Sequence, residues 1–160
     1  MEAQAAMQEF MADPGFLLSR VGAAIRAGFK EVLARWGIRP LQYVILSLLD
    51  TGGASQQELC AAAGIHSGNM VELLDGLEAL GYARRDRDPR DRRRYVVSMT
   101  EAGQSALAEL RAAIDQYTTA FLGPLTELER QRLASILGKL YVTTAEGRPR
   151  PPRWAPESLP

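Results

Sequence analysis

Apolar residues recur at helical spacing along most of the chain, and the interruptions mark where helices should stop. After Asp13-Pro14, a capping side chain followed by proline at a first helical position, Leu18, Val21, Ile25, Phe29 and Val32 follow at steps of three and four. This spacing predicts an amphipathic helix to about Arg35. Gly37 and Pro40 break it, and the apolar run Leu41, Val44, Ile45, Leu48 and Leu49 predicts a buried helix ended by Thr51-Gly52-Gly53. Ser55-Gln56-Gln57-Glu58 has the spacing of a capping box, in which serine and glutamate each satisfy a free amide. It opens a short helix that Gly64 stops. A fourth helix opens at Ser67, which the pattern makes its cap, with Met70, Leu73, Leu74, Leu77 and Leu80 on one face and Gly81 beyond its end.

After Gly81 the period changes from helical to alternating. Tyr82-Ala83-Arg84 and Tyr95-Val96-Val97-Ser98 predict two short strands, and Asp88-Pro89-Arg90-Asp91 supplies turn residues between them. Thr100 then caps a long helix carrying Leu107, Leu110, Ile114, Tyr117 and Phe121, which Gly123-Pro124 breaks. Thr126 and Glu129 form another capping box for a last helix with Leu133, Ile136, Leu137, Leu140 and Tyr141 on one side. From Glu146 onward the chain is rich in proline and arginine and predicts an extended or flexible tail.

The fold class is therefore mainly α. A short helix, a turn through Gly64 and a second helix make a helix-turn-helix, and the hairpin that follows makes a wing. The second helix leaves Ser67, Gly68, Asn69, Val71, Glu72 and Asp75 off its apolar face, as a helix that offers its first turn to base edges would.

Composition narrows the function classes. With 160 residues, 46% hydrophobic and 24% charged, the chain is the size and kind of one globular unit. Its single cysteine, Cys60, excludes an intrachain disulfide and suits a reducing cytoplasm. One His and one Cys cannot supply a soft-ligand metal site, no cofactor motif is present, and no nucleophile–base pair points to catalysis. No run approaches a membrane span. The formal net charge is zero, yet Arg84 to Arg94 holds seven arginines and three aspartates. A basic hairpin on an otherwise acidic chain is a localised footprint for nucleic acid, and arginine suits a narrow minor groove.

Specific residues then carry a resemblance. Gln57-Glu58-Leu59, Gly64-Ile65, Leu73-Leu74, Leu77 to Tyr82 and Arg85 look like the helix-turn-helix of the MarR family of bacterial regulators. Asp88-Pro89-Arg90-Asp91-Arg92-Arg93, Val96-Val97 and Met99-Thr100-Glu101-Ala102-Gly103 are similar to that family's wing and the start of its long helix. The resemblance spans nearly the whole chain. It implies a homodimer, with residues 1–36 and 100–145 forming the dimerisation region, residues 37–99 the DNA-binding region and 146–160 a tail. It implies that Asp91 pairs with an arginine to shape the wing, with Arg85 a second wing-structuring residue, and that Arg90 or Arg92 enters the minor groove. Arg93 sits at the family's usual wing arginine, and Arg94 adjoins it.

The expected function is a transcriptional regulator, a repressor by preference, that binds a pseudo-palindromic duplex operator. Small aromatic or phenolic effectors often bind family members near the hinge, where Phe29, Trp36 and Tyr43 fall; plain packing is the alternative for each. Cys60 reads as a small core residue and His66 as a turn residue. Glu72 departs from the basic or hydroxyl residue common at its position. It could repel phosphates, accept from cytosine N4, or turn away from DNA. The rival from another class is a winged-helix protein-interaction module without DNA binding, supported by Glu72 and the zero net charge.

Overall fold

Helix α1 (Pro14–Ala34) begins where a side chain can satisfy a free amide: Asp13 Oδ1 accepts from Phe16 N at 2.6 Å. The computed structural model describes residues 10–87 and 95–145. Helix α2 (Pro40–Leu49) starts with proline at its first position. Helix α3 (Gln56–Ala63) carries the expected capping box, with Ser55 N donating to Glu58 Oε2 at 2.7 Å. It ends at Gly64, whose φ of 65° puts it in the left-handed region that glycine adopts without strain. Helix α4 (Ser67–Ala79) follows after this turn. Strands β2 (Ala83–Arg87) and β3 (Tyr95–Met99) form the hairpin, and helices α5 (Glu101–Phe121) and α6 (Glu127–Ala145) complete the described chain.

Two elements are laid out differently from the pattern-based expectation. A two-residue strand, β1 (Ala54–Ser55), lies against β3, pairing Ala54 with Val97 and Ser55 with Val96. The sheet is therefore three-stranded and antiparallel, in the order β1-β3-β2. Helix α4, moreover, is capped by His66 without a side-chain hydrogen bond, so Ser67 is its first helical residue and not its cap. The hydroxyl that the sequence assigns to capping is left for another partner.

The core gathers beneath α4. Ile45 and Leu46 of α2, Met70, Leu74 and Leu77 of α4 and Leu110 of α5 are fully buried, with Leu33, Leu59, Val97 and Leu107 close behind. On α1 the buried residues are Val32 and Leu33, while Leu18 and Val21 stay exposed. The chain divides into two compact units between Thr119 and Ala120, within α5. In the second unit, α6 leaves Leu128, Ile136, Leu137 and Val142 exposed.

The join between wing and long helix explains the Thr100 to Gly103 motif. Thr100 Oγ1 donates to Gly81 O at 2.6 Å and accepts from Gly103 N at 3.0 Å, and Thr100 N donates to Tyr82 O at 3.1 Å. A Cβ on residue 103 would lie 2.1 Å from Tyr82 O, so only glycine permits this approach.

Candidate nucleic-acid interface

Helix α4 turns its leucines inward and its polar face out. Ser67, Gly68, Asn69, Val71, Glu72 and Asp75 are all exposed, so the structure brings together on one face the first group of residues singled out from sequence. Gly68 has open space around its Cα, which lets another surface come close to the helix start. Gln56 and Gln57 line a depression of about 570 Å³ together with Ser67, Ile65, Ala61 and Cys60. In sequence the two glutamines look like ordinary first-turn residues of a capping box, and only the fold sets them beside the start of α4. Cys60 itself is half-buried and packs against the core.

Arginines hold the acidic residues of α4. Arg85, on β2, donates through Nη1 to Asp75 Oδ1 at 2.7 Å and also pairs with Glu78 Oε2. Its backbone N donates to Glu78 Oε1 at 2.8 Å, and its Nη2 donates to Val71 O at 3.3 Å. The guanidinium thus bridges the hairpin to α4, and its own side chain is only 22% exposed. A half-buried, multiply bonded arginine of this kind fixes geometry better than a solvated pair does. A second clamp comes from the other side: Arg39 Nη1 lies 2.9 Å from Glu72 Oε1. That pair is exposed, so it contributes about 0–1 kcal/mol to stability.

The described part of the wing is basic. Arg84 pairs with Asp86 at 2.9 Å, and Arg87 stacks over the Tyr95 ring at 5.9 Å from its centroid. Arg90, Asp91, Arg92, Arg93 and Arg94 lie outside the described residues, as does the tail after Ala145.

The three aromatic hinge candidates are engaged by different partners. Phe29 meets Tyr117 edge to face, with ring centroids 5.7 Å apart. Trp36 Nε1 donates to Glu109 Oε2 at 3.0 Å. Tyr43 packs on the core and lies by Arg111, whose guanidinium donates to Asp50 Oδ2 at 2.8 Å. The hydrogen bond to Asp50 raises the pKa of this exposed arginine. These contacts connect α1 and α2 to α5.

Comparison with known proteins points the same way. The sequence profile of the MarR family matches residues 36–94. The chain is 32% identical over 125 residues to a putative transcriptional regulatory protein for the hcr operon of Thauera aromatica, spanning 78% of this chain and 75% of that protein. The solved structure of the transcriptional repressor CouR bound to a 23-mer DNA duplex is 29% identical, with a TM-score of 0.72, over 84% of this chain and 96% of that one. CouR from Rhodococcus jostii RHA1 bound to p-coumaroyl-CoA is 28% identical, with a TM-score of 0.66, over 82% of this chain and 93% of that one.

Proposed function

This chain belongs to the MarR family of winged helix-turn-helix proteins, and from that premise we propose that it is a transcriptional repressor binding duplex DNA as a homodimer. Helix α4 of each copy enters the major groove at one half of a pseudo-palindromic operator, with half-sites about one helical turn apart. Ser67, Gly68, Asn69 and Val71 meet base edges and backbone there. Arg90, Arg92, Arg93 and Arg94 of the wing reach the adjacent minor groove and its phosphates, where they supply affinity and salt dependence. Asp91 and Arg85 hold the wing in shape.

The observation that carries this reading is the exposed first turn of α4, free of side-chain capping, on a helix that Arg85 ties to the basic strand β2. The apolar side chains exposed on α1 and, separately, on α6 support self-association. The DNA-bound and p-coumaroyl-CoA-bound forms of CouR support a DNA partner and a small-molecule effector. Phe29, Trp36 and Tyr43 are the residues assigned to that effector, which would shift the dimer between binding-competent and incompetent forms. The interaction-module alternative rested on Glu72 and on the zero net charge, and the Arg39 pairing weakens the first of these supports.

The test is the affinity for a labelled duplex, measured by fluorescence anisotropy across a salt series. Wild-type affinity should fall steeply with salt, and Arg92→Ala should lower the logarithmic slope by about one. A flat salt dependence for the wild type would overturn the DNA-binding reading.

A further inference from the structure

Glu72 sits one turn beyond Gly68 and Asn69, so it shares their face of α4. From sequence alone its carboxylate could repel DNA, read a base or turn away. The structure narrows these choices. The side chain is 72% exposed, so it has not turned into the core. Arg39 binds Oε1 and balances the charge that would repel phosphates. Among the described residues, Oε2 has no hydrogen-bond partner, so Glu72 keeps a free acceptor on the recognition face.

Arg39 is itself held in place. Its backbone N donates to Gln42 Oε1 at 2.9 Å, and Gln42 Nε2 donates to Leu73 O at 3.1 Å. Gln42 is 2% exposed, the one buried polar side chain among the described residues. Both ends of its amide are satisfied, as burial requires. A Cβ on residue 76 would lie 2.4 Å from Gln42 Nε2, so Gly76 makes the room for this link. The amide therefore ties the start of α2 to the turn of α4 that carries Glu72.

Resting on the DNA-binding reading above, we propose that Glu72 is a specificity-determining residue that selects a C·G pair in each half-site, and that Arg39, fixed by Gln42, is its positioning residue. A carboxylate accepts hydrogen bonds and donates none. In the major groove cytosine offers its N4 amino group, whereas adenine sets its N6 amino group beside the N7 acceptor, which repels a carboxylate. Guanine and thymine offer acceptors there, so they are rejected as well.

The experiment is selection from a random duplex pool with the full chain, run in parallel for wild type, Glu72→Ala, Arg39→Ala and Arg39→Lys. The wild-type motif should hold cytosine on one strand at one position of each half-site. Glu72→Ala should lose that preference alone, by about ten-fold, while binding random duplex more tightly. Arg39→Ala should weaken the same preference and Arg39→Lys should restore it, because either cation can hold the carboxylate. An unchanged motif in Glu72→Ala would overturn the base-reading role and leave the DNA-binding function standing. An unchanged motif in Arg39→Ala would overturn the positioning role. No motif from the wild type would overturn this inference and the proposed function together.

Discussion

The winged head and the last helix carry the same kind of apolar stripe and treat it in opposite ways. In the head, α4 spaces Met70, Leu73, Leu74 and Leu77 at three and four residues, and none is more than 5% exposed. In α6 the same spacing places Leu133, Ile136, Leu137 and Leu140, yet Ile136 is 56% exposed and Leu140 47%. Periodicity tells which side chains share a face, but whether that face is covered depends on what the rest of the chain can bring to it. The head covers its stripe with α2, α3, α5 and the sheet. Under the proposed function, the stripe of α6 is the surface that a second copy would cover.

This contrast sets the order of expected effects. The largest belongs to the head: Leu74→Ala should destabilise the fold by about 2–5 kcal/mol, because it removes a fully buried side chain and leaves a cavity. Denaturant unfolding would measure it, and a loss below about 1 kcal/mol would mean that the head is loosely packed. The intermediate effect belongs to α6. Ile136→Glu should leave the unfolding of the individual chain nearly unchanged while weakening self-association by about ten-fold or more, equivalent to at least ~1.4 kcal/mol. Sedimentation over a concentration series would reveal it. If the variant associates like the wild type, α6 is not the self-association surface.

The smallest effect separates local from global stability. Glu129 accepts from Thr126 N at 2.8 Å and from Thr126 Oγ1 at 2.7 Å, and these bonds, the backbone amide first, lower its pKa from the ordinary 4.5. A lowered carboxylate pKa contributes stability that is fully present above the ordinary value and is lost as pH falls through the folded-state pKa. Wild type should therefore unfold at a slightly higher temperature than Glu129→Gln at neutral pH, and the gap should close in acid. A gap that widens on acidification would contradict the capping role of Glu129.

What could be read from the sequence follows the range of each interaction. Caps at Asp13, Ser55, Thr100 and Thr126 were legible because donor and acceptor sit three residues apart. Strand β1 was not, because two residues carry no period and the strand exists only through its pairing with Val96 and Val97. The stripe drawn on α1 was real as a pattern but leaves Leu18 and Val21 exposed; it is buried at Val32, next to Leu33, which the pattern did not include. At the candidate interface, Ser67, Gly68, Asn69, Val71 and Glu72 were legible as one helix face. Their supports were not: Arg39 lies 33 residues from Glu72, and Gln42 lies 31 from Leu73. Nothing in a linear pattern joins such pairs. Ser67 was misassigned as a cap because serine before an apolar run normally is one, and here His66 occupies that place.

The most direct test of the central claim is selection of bound sequences by the wild-type chain from a random duplex pool at moderate salt. The expected result is a palindromic motif whose half-sites are about one helical turn apart. Recovery of no enriched motif, together with no salt-sensitive binding to bulk duplex, would contradict it.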